Sequence, residues 1–234
     1  AERSRERRVS AAAPDWLLTA EDSLRADLPG WFTQFAPPEA PPRRSAVLML
    51  VTPGESGHDI VLTERSGSLR SHAGQVSFPG GKLDPGETPV EAALRETWEE
   101  VGVDPERVEV VGSFPDLWLG PSSNAVTPVL GWWPEGGSLR VVDPGEVARV
   151  EQVPVAQLVD PANRFMVKGP SGYVGPGFEV AGLFVWGFTA QLLSVLLDAA
   201  GLTQSWDTDR RRRLPWRFVR QYLTGPGGRP PARR

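Results

Sequence analysis

One stretch limits what this chain can fold into more than any other: Gly81 to Val103, GKLDPGETPVEAALRETWEEVGV. Asp84-Pro85-Gly86 is turn chemistry, because proline presets φ and glycine tolerates positive φ. Thr88-Pro89-Val90-Glu91 then reads as a helix start: Thr88 can cap, Pro89 suits the first helical position, and Glu91 completes a capping box. Gly102 stands where a helix C-terminus needs a residue free to turn left-handed. The spacing predicts a helix over Pro89 to Val101.

At about 100° per residue, Val90, Ala93, Leu94, Thr97 and Val101 form one stripe, the predicted buried face. Glu96, Glu99 and Glu100 fall together beside it, and Arg95 precedes Glu99 by one turn, placed to orient its carboxylate. Like charges at this spacing repel by roughly a few tenths of a kcal/mol per exposed pair. A cation among them reverses that sign, and Mg²⁺ suits the set because it takes oxygen ligands, usually few carboxylates, together with substrate phosphates. A lone glutamate pair is most simply a solvated acidic face; here Gly81, Glu87 and Arg95 recur at fixed spacing around it.

The stretch resembles the Nudix box, G-x5-E-x7-R-E-U-x-E-E-x-G-U with U aliphatic, and Gly81, Glu87, Arg95, Glu96, Glu99, Glu100, Gly102 and Val103 all match. Thr97 departs at the first aliphatic position, where a small β-branched side chain can still pack. The resemblance implies an α/β fold, an α/β/α sandwich around a mixed β-sheet. It also implies that Glu96, Glu99 and Glu100 hold Mg²⁺ or Mn²⁺, joined by a backbone carbonyl of Gly80 or Gly81. Arg95 would orient the carboxylates, and Glu87 would bind metal indirectly or brace the loop.

Upstream, Leu62 to Gly81 (LTERSGSLRSHAGQVSFPGG) reads as a strand ending at Arg65, a loop carrying Arg70 and His72, and a return into the glycines. Guanidinium forks on Arg65 and Arg70 could face phosphate oxygens, or both could be surface residues. The segment resembles the signature of coenzyme A pyrophosphatases within the Nudix hydrolases, L-L-T-x-R-[SA]-x3-R-x3-G-x3-F-P-G-G, with Val61 replacing the first leucine. Trp186-Gly187-Phe188-Thr189-Ala190 is similar to that branch's W-G-x-T-A. The likeness runs from about residue 45 to about 200. It implies cleavage of coenzyme A, or an acyl or oxidised form, to 3′,5′-ADP and a 4′-phosphopantetheine product, with Arg65 and Arg70 on the substrate phosphates. ADP-ribose or a dinucleotide is the alternative substrate, and a nucleotide-sensing protein that does not cleave is the alternative of another class. His72 is equally a phosphate donor or a local hydrogen-bond partner, and Lys82 reads as surface. For the base that takes the proton of the attacking water, Glu146 is chosen, because the turn Asp143-Pro144-Gly145 would present it beside a strand start.

Composition narrows the rest. The 234 residues suffice for one well-cored domain with extra arms. A net charge of −4 supplies no global basic field for nucleic acid. The absence of cysteine removes disulfides, thiol catalysis and thiolate zinc sites, and favours a reducing, cytoplasmic compartment. No apolar run is long enough for a bilayer, and the charged N-terminal residues lack the apolar core of a secretory signal. A homodimer is left open.

Residues 1–43 read as an N-terminal arm and Pro-rich connector, 44–223 as the main domain, and 224–234 as a disordered tail. Strands are expected at Ala46 to Thr52, Asp59 to Arg65, Val108 to Phe114, Ala125 to Trp133 and Val147 to Val155, with an edge strand at Ser138 to Val142. Trp186 to Ala200 reads as an apolar helix ended by Gly201. Residues 161–185 are mixed, rich in glycine and strand-forming side chains, and the run Arg210 to Arg213, which could contact phosphates, reads as a solvated charge cluster.

Overall fold

The computed structural model describes residues 12–69 and 72–224. Arg70, the residues before 12 and the tail from Gly225 lie outside the described residues. In chain order the elements are α1 (Asp15–Ala26), α2 (Gly30–Gln34), β1 (Arg44–Gly54), β2 (Gly57–Arg65), β3 (Val76–Ser77), β4 (Gly80–Lys82) and α3 (Pro89–Val101). There follow β5 (Glu109–Ser113), β6 (Leu117–Leu119), β7 (Asn124–Trp132), β8 (Val147–Pro154) and α4 (Val155–Val159). The chain continues through β9 (Arg164–Lys168), β10 (Val174–Val180), β11 (Leu183–Val185), α5 (Gly187–Ala199), β12 (Arg211–Arg213) and α6 (Trp216–Thr224).

The apolar run of β1 has no polar alternate positions because both its faces are covered. Ala46, Leu48 and Leu50 face α3 with Ala92, Ala93 and Val101. Met49 and Val51 face the opposite layer, where α1 and α5 supply Leu17, Ala20, Leu24, Leu192, Leu193 and Leu196. The result is helix, sheet, helix, with the main sheet mixed: β1 pairs β2 antiparallel and β7 parallel. The sheet runs β3-β2-β1-β7-β5, with β4 on β1, β6 on β7 and β8 on β2. The N-terminal helix α1 is thus part of the core, its Leu17 and Ala20 fully buried.

Three segments differ from their sequence reading. Residues 161–185 build most of a second, four-stranded sheet, β11-β10-β9-β12, packed on α6 through Phe165, Val167, Phe184, Trp186, Leu214 and Phe218. Its glycines had hidden it: Gly177 lies where any Cβ would overlap the side chains of Val167 and Phe165. The arginine run is its edge strand rather than a plain solvated cluster, since Arg211–Arg213 pair in parallel with Met166–Lys168. Charged edge strands resist pairing with another chain, and Arg212 also pairs with Glu179 and stacks on Phe165. Ser138 to Val142 forms no strand; it lies against the end of α3, where Val142 N–H donates to the Glu100 carbonyl at 3.0 Å.

Among the described residues no helix is long and apolar enough to cross a membrane.

Candidate active site

The site begins with two glycines. Gly80 and Gly81 of β4 lie beside Val47 and Ala46 of β1. Gly80 adopts φ +146°, and a Cβ there would overlap the Ala46 carbonyl and come within 2.6 Å of Val47 Cα. Only glycine fits. Its free N–H donates to Glu100 Oε2 at 3.1 Å. A Cβ on Gly81 would fall within the carboxylate of Glu96, so the missing side chain is the space that carboxylate occupies.

The helix starts and stops where its residues dictate. Thr88 Oγ1 accepts from Glu91 N–H at 3.3 Å while the Glu91 carboxylate accepts from Thr88 N–H at 2.8 Å, the reciprocal box. Gly102 ends it at φ 79°. Thr97 is buried and satisfies its hydroxyl by donating to the Ala93 carbonyl at 2.6 Å, which is how it tolerates an aliphatic slot. The buried face is shifted from the periodicity: Ala92 and Glu100 lie on it, Glu100 only 3% exposed, while Val90 and Leu94 are half-buried.

Arg95 is the hub. Its Nε and Nη2 donate to the two oxygens of Glu87 at 2.8 and 3.0 Å, and Nη2 also reaches the Lys82 carbonyl at 3.0 Å. Nη1 lies 3.0 Å from Glu99 Oε2 and 3.1 Å from Glu96 Oε1. A planar fork with five donors can hold this many acceptors, where a lysine ammonium cannot. The hydrogen bond from Arg95 holds Glu87 below the usual carboxylate range, and Glu87 in turn accepts from Asp84 N–H at 2.8 Å, bracing the turn.

The glutamates are not equivalent. Glu99 is half exposed and turned to Arg95. Burial pushes Glu96 up, against the pull of Arg95, with the charges of Glu99 and Glu146 adding to the rise. Glu100 is pushed up to about 7, chiefly by burial; the Gly80 N–H and the charge of Arg65 act the other way, and Glu96 and Glu146 add to the rise. Among the described residues Glu100 has no ion pair.

Other elements close on this pair. Arg65 ends β2 and its charge reaches Glu100. Glu146 is exposed in the turn before β8, within the field of both Glu96 and Glu100. Four bonds fix that turn: Asp143 Oδ1 accepts from Gly145 N–H at 2.8 Å, the Asp143 carbonyl accepts from Glu146 N–H at 3.2 Å and from Val147 N–H at 2.9 Å, and the Glu146 carbonyl accepts from Ser66 N–H at 2.7 Å. The docking of Val142 on α3 carries the turn to the glutamates, and no local sequence signal announces that contact. His72 is exposed, at φ 58°, with Nδ1 3.1 Å from Gln75 Oε1. The residues thus gathered are Gly81, Glu87, Arg95, Glu96, Glu99, Glu100, Arg65 and Glu146; the contact seen for His72 is within its own loop, and Arg70 is not described. Helix α5, which follows β11, is tied in as well, since Thr189 Oγ1 donates to the Val76 carbonyl at 2.9 Å.

Among the described residues no three acidic or imidazole groups converge closely enough to form a ready-made cation cage. The donor set nevertheless fits a hard divalent ion that completes its shell with water and phosphate oxygens. Glu96 and Glu100 are two carboxylates whose charge burial opposes, beside the close-packed Gly80–Gly81 backbone.

Fold and site together define an α/β/α protein with an acidic loop–helix centre. Residues 42–170 match the family model described as NUDIX domain, and the chain belongs to that family. It is 42% identical over 140 residues to "Nudix hydrolase 3" of Caenorhabditis elegans, a match spanning 58% of this chain and 57% of that protein. It is 38% identical over 167 residues to "Uncharacterized Nudix hydrolase NudL" of Escherichia coli O6:H1, spanning 68% of this chain and 84% of that protein. The chain spans little more than half the length of several curated relatives it matches, 57%, 58% and 52% in three cases. Among solved structures, a Nudix hydrolase from M. smegmatis, RenU, superposes with a TM-score of 0.49 at 20% identity, covering 70% of this chain and 88% of that one.

Proposed function

We propose that this protein hydrolyses the pyrophosphate link of a nucleoside diphosphate derivative with the aid of Mg²⁺ or Mn²⁺, and that its substrate is coenzyme A or an acyl or oxidised form. The observation that carries the reading is Glu100: a carboxylate buried at 3% exposure, unpaired among the described residues, beside the half-buried Glu96 and the close-packed glycines. Such a charge is expensive to bury without a counter-charge. Glu96 and Glu100 would hold the ion, with Glu99 joining them or keeping Arg95 in place. A bound divalent ion neutralises phosphate oxygens and acidifies water in reactions of this type.

The chain's own groups do the rest. Arg95 fixes Glu96, Glu99 and Glu87 in one network, so the carboxylates need not reorganise during turnover. Arg65 contacts the substrate phosphates, and the motif match assigns Arg70, which lies outside the described residues, the same role. Glu146, on its hydrogen-bonded turn, takes the proton as water attacks one phosphorus and the bridging oxygen leaves with the other phosphate. The coenzyme A reading draws on the match of Leu62 to Gly81 and of Trp186 to Ala190 to that branch's motifs.

The test is direct. Purified protein with Mg²⁺ or Mn²⁺ is given coenzyme A, acetyl-CoA, ADP-ribose and a dinucleotide, and products are identified by mass. The expected products from coenzyme A are 3′,5′-ADP and 4′-phosphopantetheine. A clear kcat/KM preference for ADP-ribose or the dinucleotide overturns the substrate. No product from any diphosphate, together with tight nucleotide binding, overturns the enzyme in favour of a sensor.

A further inference from the structure

Far along the chain from the glutamates, a second charge is buried without its counter-charge. Arg164 opens β9 and is only 2% exposed. Its guanidinium carbon lies 5.1 Å from the centre of the Phe178 ring and 4.8 Å from that of Trp206. Stacked against these rings, the group is left to its in-plane N–H edges for hydrogen bonding. One of these is used: Nη2 reaches Ser194 Oγ on α5 at 3.3 Å. Nε and Nη1 are buried with no acceptor among the described residues. Asp198, one turn further along α5, is the carboxylate whose charge is felt at Arg164, yet its Oδ1 is taken by Thr203 Oγ1.

A cation in this position is strongly disfavoured unless an anion completes it. We propose that Arg164 is the floor of a second binding site, for a small oxyanion with two or more oxygens, carboxylate or phosphate, held in the plane of the guanidinium. Paired N–H···O bonds of this geometry are what guanidinium offers such groups. Trp206 is the cover. It stands in residues 201–210, which form neither helix nor strand between α5 and β12, so it can swing aside without breaking a ladder or a helix. The anion enters next to Ser194, whose hydroxyl can donate to it as well as accept from Nη2.

Inorganic phosphate and formate, each matched in ionic strength with chloride, distinguish the two sources of oxyanion. The whole chain is titrated with each while the Nε–H resonance of ¹⁵N-labelled Arg164, assigned by its loss in Arg164→Met, is followed, and melting is measured in parallel. At a concentration about a hundredfold above Kd, the preferred anion should raise the melting temperature by roughly 5–10 °C and shift that resonance. Arg164→Met should lose the response and melt no lower than the wild type without anion, because an unpaired buried cation has been replaced by an apolar chain of similar shape. An undiminished rise in Arg164→Met would place the anion elsewhere and overturn the proposal. So would an Nε–H resonance unmoved by either anion, which would leave water as its acceptor.

Discussion

Replacing Glu100 by glutamine should make the metal-free protein more stable at high pH while removing its turnover. Glu100 is held at about 7 in the folded chain, above the ordinary 4.5. Between those values the folded state binds the proton more tightly than the unfolded state. Linkage then makes stability fall as pH rises through this window, with the full penalty in place above 7 and none below 4.5. Each pH unit between the two values is worth about 1.4 kcal/mol, so the penalty is roughly 3 kcal/mol, and with the side chain 3% exposed solvent relieves little of it. Glutamine keeps an oxygen for the Gly80 N–H but carries no charge. In EDTA at pH 8.5, Glu100→Gln should therefore melt higher than the wild type by roughly 6–12 °C, at about 2–4 °C per kcal/mol for a domain of this size. At pH 4.5 the two should converge. Scanning calorimetry on both proteins across this range makes the comparison, and titrating groups not coupled to Glu100, that is, those other than Glu96, Glu146 and Arg65, cancel in the difference. Adding Mg²⁺ at pH 8.5 should stabilise the wild type alone, and turnover of coenzyme A by the variant should fall roughly a thousandfold or more. A gap independent of pH, or a variant less stable than the wild type at pH 8.5, would refute the reasoning.

The two glycines should separate in their failures. Gly81→Ala meets only the end of the Glu96 side chain, so kcat should drop by about tenfold or more with little loss of melting temperature. Gly80→Ala meets the β1 backbone at φ +146°, so it should unfold the protein by roughly 3 kcal/mol or more in urea titration. Arg95→Lys cannot reach Glu87, Glu99, Glu96 and the Lys82 carbonyl together, and steady-state kinetics should show kcat reduced about a hundredfold with a smaller change in KM. Thr88→Ala removes the hydroxyl half of the capping box, and chemical denaturation should show a loss of about 1 kcal/mol with kcat nearly unchanged.

How much of this was readable in advance follows from the range of each interaction. The bounds of α3, its Thr88 cap and its Gly102 stop are legible because capping and left-handed turns involve residues a few positions apart. The same holds for the strand pattern of β1 and β2 and for the presence of Glu87, Arg95, Glu96, Glu99 and Glu100 on one helix and its preceding turn. The second sheet was not legible. Three of its strands have five residues or fewer, β10 alone carries glycine and proline, and its edge is three arginines that look like part of a charge run until Arg211–Arg213 are seen against β9. Nor could Ser138 to Val142 be read correctly, because strand-like side chains say nothing about whether a neighbouring strand is available to pair with.

The sequence by itself determined the catalogue of carboxylates, the arginine that can bind them and the backbone freedom of Gly80 and Gly81. Tertiary structure alone decided which glutamate loses its water. Glu96, Glu99 and Glu100 have the same chemistry on one helix, yet Glu99 is half exposed and Glu100 is buried against Gly80. That difference comes from β4, β2 and the Glu146 turn closing on one side of α3. Desolvation depends on everything that surrounds a group, whatever its distance along the chain.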